Sequence, residues 1–254
     1  MPTNNNLDTV PPKNSRKNVG VPKEELTLQR ALIRALAQEK IQAGTTRIIC
    51  PELDAYQGIA DVIVAIGNGH TFFGRSLSRR DICSFNLTSA RILVRLPYRK
   101  SVRISELARS TALSERTIER HLRTIEALGI VHKTPGSVSL IRSKKAPFKE
   151  IAAFEVKISD WRQGLYQAMQ YKAFANRAAL ILPAKKARSV ANTNADVFRV
   201  FGIGLAGIDH GSKLRWHVRP RRQKPRSESK ALLGCFEILK RREAKALLRP
   251  EKVR

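Results

Sequence analysis

Residues 151–158 read Ile-Ala-Ala-Phe-Glu-Val-Lys-Ile, a strand-like run whose apolar residues are interrupted by one carboxylate and one amine. Successive side chains of an extended strand point to opposite faces, so Glu155 and Lys157 share a face. A carboxylate buried in such a run is costly unless it meets a partner. Upstream, Gly58-Ile-Ala-Asp-Val-Ile-Val-Ala-Ile66 is a second apolar run with a lone acid, Asp61. If the two runs are neighbouring strands, Asp61 joins Glu155 and Lys157, and the two carboxylates repel unless a divalent cation lies between them. Mg²⁺ suits such a place: it is hard, prefers oxygen ligands, and completes its shell with water and phosphate oxygens. The lysine could then orient an attacking water and offset charge growing on a phosphate.

The flanking segments alternate in type. Glu24 to Gln38 is amphipathic, with Leu28, Ala31, Leu32, Ala35 and Leu36 on one face. Thr46 to Pro51 reads as a short strand. Downstream, Asp160 can cap a helix running to the neighbourhood of Asn176, and Arg177 to Pro183 follows as a buried strand. A helix through Ala187 to Val200 leads into Phe201 to Asp209, His210-Gly211 turns the chain, and Lys213 to Val218 returns as a strand. Helices and strands in this order predict an α/β fold with mixed strand pairing.

The Gly-x-x-Asp of residues 58–61 followed by the Glu-x-Lys of residues 155–157 resembles the PD-(D/E)xK nuclease superfamily, over residues 23–67 and 150–220. That resemblance implies a restriction-endonuclease-like fold, Asp61 and Glu155 as metal-binding acids, and Lys157 as the catalytic lysine. Gln167-Ala-Met-Gln-Tyr171 is similar to the Q-x-x-x-Y helix motif of exonuclease-type branches, which implies site roles for Gln167 and Tyr171. Glu25, on the first helix, fits the accessory metal-binding acid of some members. Ala60 stands where the nominal motif has proline, and the gap from Asp61 to Glu155 is long.

An inserted domain accounts for that gap. Between Ser101 and Arg142, Ile104, Leu107 and Ala108 recur at helical spacing, and Ala112-Leu113-Ser114 forms a turn. Ser114 can cap a helix carrying Thr117, Ile118, His121, Leu122, Ile125 and Leu128 on its apolar side, closed by Gly129. Ile130 to Lys133, Pro135-Gly136 and Ser137 to Arg142 read as a β-hairpin. With Arg80 to Leu96 as the preceding helix, this resembles the winged helix-turn-helix family. The resemblance implies that Glu115, Arg116, Thr117, Glu119 and Arg120 face the major groove, with Arg123 on the same outward side, and that Lys133 and Arg142 touch phosphate from the wing.

Charge points the same way. The 254 residues hold 48 Lys and Arg against 21 Asp and Glu, a net charge of +27. Such an excess opposes compaction unless a polyanion neutralises it, and DNA is the expected partner. Arg219, Arg221 and Arg222, in a basic stretch running on through Lys224 and Arg226, are expected to hold phosphates without reading sequence. An anionic membrane would instead want an amphipathic basic helix, which only the C-terminal segment offers. No run approaches the length of a membrane span, and the first residues lack the apolar core of a secretory signal. Cys50, Cys83 and Cys235 are scattered, without zinc or disulfide spacing, and fit a reducing cytosol. The five histidines mark no catalytic base. Gly202, Gly204 and Gly207 are expected to serve close packing.

Expected, therefore, is a cytoplasmic, DNA-binding α/β protein. A restriction-endonuclease-like mixed-sheet core (23–78 and 149–220) is interrupted by a winged helix-turn-helix domain (79–148). A disordered polar tail (1–22) precedes it, and a basic linker with a C-terminal helix (221–254) follows. The expected activity is Mg²⁺-dependent (or Mn²⁺-dependent) DNA hydrolysis, with no small-molecule cofactor, no membrane partner and homodimerisation left open. The alternative is a transcriptional regulator that uses the nuclease-like domain as a scaffold. Both require phosphate contacts. The logarithm of DNA affinity should therefore fall linearly with the logarithm of salt concentration, and each arginine contact removed, Arg116→Ala or Arg120→Ala, should flatten the slope by about 0.9. Titration of a labelled duplex at several salt concentrations measures this, and a salt-insensitive complex would contradict it.

Overall fold

The computed structural model describes residues 7–9, 23–39, 45–54, 59–67, 78–143, 146–209 and 213–246. In chain order these form β1 (Leu7–Thr9), α1 (Lys23–Gln38), β2 (Thr46–Asp54), β3 (Ile59–Gly67), α2 (Arg79–Cys83), α3 (Leu87–Arg95), β4 (Ser101–Arg103), α4 (Ile104–Thr111) and α5 (Glu115–Ala127). There follow β5 (Val131–Thr134), β6 (Ser137–Leu140), β7 (Glu150–Val156), α6 (Trp161–Tyr171), β8 (Arg177–Pro183), α7 (Ala184–Phe201), β9 (Gly204–Ile208), β10 (Leu214–Val218) and α8 (Glu228–Ala246). The chain divides into two compact units, Met1–Gly67 with Phe148–Arg226, and Asn68–Pro147 with Ser227–Arg254.

The first unit is mixed α/β. Its sheet has the order β1-β2-β3-β7-β8-β9-β10. The β2–β3, β3–β7 and β9–β10 pairs are antiparallel, and the β7–β8 and β8–β9 pairs are parallel. The central strands are short apolar runs because both faces are covered. On one face Leu28, Leu32 and Leu36 of α1 pack with Ile49, Val62, Val64, Phe154, Val156 and Ile181. Against the other lie α6 and α7, which approach closely where residues are small. A Cβ at Gly164 would fall 2.5 Å from Leu180 Cδ1, and one at Gly207 2.9 Å from Ala184 Cα. Asp160 caps α6 by accepting from the Gln163 amide at 3.0 Å, and Gly202, at φ +64°, closes α7 in the left-handed region that glycine tolerates.

The second unit stacks α2, α3, α4 and α5 beside a small antiparallel sheet of order β4-β6-β5. Ile118, Leu122 and Ile125 turn the apolar side of α5 inward. Ser114 accepts from the Thr117 amide at the start of α5, and Gly136, at φ +73°, sits in the hairpin turn. Here too packs α8, against α2 and α3, with the Phe236 ring stacked on Phe85 at 4.2 Å.

Several boundaries differ from the sequence expectation. The single helix expected over Arg80 to Leu96 is two, because Asn86 accepts from the Ser89 amide and starts a second one. The helix expected to run towards Asn176 ends at Tyr171. Lys157 lies one residue beyond β7, although its amide still donates to Ile181 O at 3.0 Å. Of the expected polar tail, only Leu7–Thr9 is described, paired parallel with β2. Gly58, His210 and Gly211 lie outside the described residues. Among the described residues no helix is long and apolar enough to cross a membrane.

Candidate functional site

The sheet opens at Asp61. The β3–β7 ladder runs from Ile66–Glu150 to Val62–Phe154 and stops there; one further step in the same register sets Asp61 opposite Glu155. On the other side of β3, the β2 register passes from Pro51–Val62 to Leu53–Ala60, skipping Asp61. Pro51 has no amide proton to give, and Glu52 sits at φ +50°, where non-glycine residues are uncommon. Groups outside the ladder also reach the polar atoms of Asp61. Its main-chain oxygen accepts from Gln29 Nε2 at 2.7 Å, and its Oδ2 accepts from the Val156 amide at 2.7 Å.

Glu155 faces the same opening and is only 1% exposed. Its Oε1 lies 3.0 Å from Lys157 Nζ, and its Oε2 meets the Tyr171 hydroxyl. That hydroxyl also lies 3.0 Å from Ile59 O. A phenol has one proton to donate, so the Glu155 carboxylate and the Ile59 carbonyl share it. Side chains on a helix tilt towards its N-terminus, which lets Tyr171, at the end of α6, reach back to the strand. Lys157 is held from two sides. Glu25 Oε2 stands 3.9 Å from Nζ while Glu25 Oε1 accepts from the Ile158 amide at 3.4 Å. Behind it, a Cβ at Gly164 would come within 2.9 Å of Lys157 Cγ.

Burial governs the electrostatics. It pushes the Asp61 carboxyl up to about 7, helped by the neighbouring charge of Glu155 and opposed by the Val156 amide and Lys157. Glu155 moves the same way, again through burial, against the restraint of Tyr171 and Lys157. Burial lowers Lys157, but the Glu155 carboxylate outweighs it and the net shift is upward.

Asp61, Glu155, Lys157, Glu25 and Tyr171 are thus gathered at one sheet opening. Gln167, one turn before Tyr171, has a buried Oε1 with no hydrogen-bond partner among the described residues. The residues expected to meet DNA are distributed differently. Arg116, Arg120 and Arg123 lie exposed along α5, beside exposed Glu115 and half-buried Glu119. The Thr117 hydroxyl is 2.9 Å from Ser114 Oγ, inside the helix cap. Lys133 is half-buried, and Arg142 Nε donates to Gly129 O at 3.1 Å. In the first unit Arg221 is exposed, whereas Arg222 is drawn to Glu150 at 3.1 Å and Lys149 O at 3.2 Å. Arg219 borders a cleft of 190 Å³ whose walls include Leu36, Arg47, Phe154 and Trp216; none of the converging acids lines it.

No protein-family model, curated protein or solved structure matches this chain.

Two contributors escaped the sequence reading. Gln29 is a polar residue within the apolar stripe of α1, one turn after Glu25 and 7% exposed, and that misfit was its visible signal. Gly164 carried none, because its role is the absence of a Cβ.

The donor set fits a hard divalent cation. Asp61 and Glu155 present carboxylates from neighbouring strands, one step beyond the last pair of their ladder. Among the described residues no three acid, histidine or cysteine side chains form a closed cage; Lys157 stands between Glu155 and Glu25. An open pair suits Mg²⁺, which keeps several waters.

The raised Asp61 value has a stability consequence. The folded protein holds this proton up to a pH of about 7, whereas the unfolded chain releases it near 3.8. The associated stabilisation is present below the lower value and lost as pH rises through the higher one. In chelator-containing buffer, Asp61→Asn, which keeps an acceptor for the Val156 amide but cannot ionise, should therefore melt above the wild type at pH 8. The gap should close towards pH 4. Thermal melts across that range test it, and a gap independent of pH would contradict it.

Proposed function

We propose that the chain is a DNA-binding protein that hydrolyses phosphodiester bonds with Mg²⁺ or Mn²⁺, combining a PD-(D/E)xK-type nuclease unit with a winged helix-turn-helix. The observation that carries this is the meeting of Asp61, Glu155 and Lys157, with Glu25 behind the lysine, at the opening of the β3–β7 ladder. Asp61 and Glu155 would hold the cation, which supplies charge neutralisation to the phosphate and a more acidic water.

The protein's own groups do the rest. Tyr171 and Lys157 fix the two oxygens of Glu155, so its carboxylate cannot rotate freely. The Val156 amide fixes Asp61 from the opposite strand. Lys157 carries a positive charge within reach of both acids, placed to orient a water and to offset charge developing on a phosphate oxygen. Burial keeps the local dielectric low and so strengthens each of these interactions.

The second unit supports binding. Arg116, Arg120 and Arg123 recur at i, i+4 and i+7 on the exposed side of α5 and have no acid partner within salt-bridge distance among the described residues. Their spacing lays a cationic stripe along one helix face. The cap at Ser114 occupies Thr117, so arginines are left to make most of the contacts. With 48 basic residues against 21 acidic ones, phosphate neutralisation dominates affinity.

The decisive experiment incubates purified protein with duplex, single-stranded and branched DNA in the presence of Mg²⁺ or Mn²⁺. Cleavage is expected from the wild type, with Lys157→Ala and Glu155→Ala each reducing it by at least the ~10²-fold that loss of one preorganised charge costs. Binding measured in chelator should be unchanged in both variants. Cleavage that survives in Glu155→Ala would defeat the assignment. Absence of cleavage together with intact, sequence-selective binding would point to a regulator.

A further inference from the structure

The cleft of 190 Å³ in the first unit lies on the sheet face that α1 covers, and none of the converging acids lines it. Leu36, Val64, Phe154 and Trp216 wall it, and the space exists because β7 and β8 carry only Ala152 and Ala179 there. A glycine sets the tryptophan: a Cβ at Gly204 would fall 2.9 Å from the indole Cζ3 and 2.9 Å from Ala179 Cβ. An apolar space of about 150 Å³ is enough for one benzene ring. This cleft therefore has room for a single ring with a small substituent. Its polar rim is unbalanced. Arg47, on β2, is only 3% exposed. Its Nη1 closes the end of α1 by donating to Leu36 O and, at 2.8 Å, to Glu39 O. Nη2 stands 4.0 Å from Glu39 Oε2, and neither it nor Nε has a hydrogen-bond partner among the described residues. Burial pulls the Arg47 guanidinium below its ordinary value, and Glu39 opposes this only in part. Glu150, the second acid at the cleft, is already taken by Arg177 at 2.7 Å and Arg222 at 3.1 Å. Arg219, exposed at the rim, has no acid partner among the described residues. A buried cation with unspent donors is costly until an anion meets it.

We infer that this cleft binds a small aromatic carboxylate, its ring against Trp216 and Phe154 and its anionic end met by Arg47 and Arg219. Ligand sites combine an apolar body with a few placed polar groups, and here the walls supply the first and the two arginines the second. A carboxylate suits the planar fork of a guanidinium, which offers it parallel donors. The bonds from Nη1 to the end of α1 hold the Arg47 guanidinium in place beforehand, so little side-chain freedom is lost when the anion arrives. Arg219 adds a second cation from the rim. Successive strand residues point to opposite faces, so Phe154 serves the cleft while Glu155 serves the acid pair. The ligand site is thus separate from the hydrolysis proposed above and does not rest on it.

The test uses the full chain in chelator-containing buffer, with benzoate as the probe. Trp161 and Trp216 are the two tryptophans of the chain, so Trp161→Phe leaves Trp216 as the sole fluorescent indole. Benzoate should change its emission saturably. It should bind about tenfold or more tightly than benzamide, which keeps the ring without the charge, and than acetate, which keeps the charge without the ring. Arg219→Ala should weaken benzoate by about tenfold, as loss of one charge-assisted hydrogen bond does, and leave thermal melting unchanged. Ala152→Leu, which fills the cleft, should abolish binding; if that variant does not fold, the arginine variant decides. No saturable change at Trp216 overturns the inference. So does benzamide or acetate binding as tightly as benzoate, or benzoate affinity that survives Arg219→Ala unaltered. Displacement of bound benzoate by a short single-stranded oligonucleotide would give the cleft to a nucleic-acid base and overturn the small-ligand assignment.

Discussion

A carboxylate lies buried in the middle of a sheet, 1% exposed, with a second carboxylate facing it from the next strand. Removing such groups from water is expensive, and a like charge nearby makes it more so. One lysine and one tyrosine offset part of this cost for Glu155, and one main-chain amide does so for Asp61. What remains uncompensated appears as the upward displacement of both acids, with Asp61 at about 7. A fold concerned with stability alone would do better with apolar side chains of similar size at these positions. Retaining two acids there makes physical sense when a cation completes the charge balance.

The rest of the first unit can be understood as the support for that pair. Parallel β7 and β8 bring Glu155 into register with Leu180, and α6 lies tightly on them because Gly164 has no side chain. The helix then ends with Tyr171 reaching back to Glu155. On the opposite face α1 contributes both the apolar stripe that seals the sheet and the two polar residues, Glu25 and Gln29, that grip the strand ends. At Asp61, one step beyond the last β3–β7 pair, the bond from Gln29 to its main-chain oxygen and the bond from the Val156 amide to its carboxylate add to the strand's own.

Much of this is legible in the sequence. The strands at 59–67, 150–156 and 177–183 announce themselves as apolar runs, and strand periodicity alone puts Glu155 and Lys157 on one face. That Asp61 meets them follows once β3 and β7 are neighbours, which the sequence suggests but cannot compel. Hidden were features that depend on tertiary distance. The break at Asn86 is a capping choice that competes with a continuous helical pattern. The inward pull of Arg222 on Glu150 is invisible in a basic stretch where every arginine looks solvated. The C-terminal helix reads as an appendage, yet Phe236 stacks on Phe85 and Lys240 Nζ reaches Phe85 O at 3.3 Å. Gln29 and Gly164 support the site through a hydrogen bond to a main-chain oxygen and through an absence of volume, and neither leaves a motif.

The most direct measurement is a crystal of the wild-type protein soaked in Mn²⁺ with data collected at the manganese edge. An anomalous peak bonded to oxygens of both Asp61 and Glu155, at the ~2.1 Å typical of small hard cations, is the expected result. A well-ordered site with no peak between those two carboxylates, at Mn²⁺ concentrations that occupy other positions on the protein, would contradict the idea that they are kept buried to hold a cation.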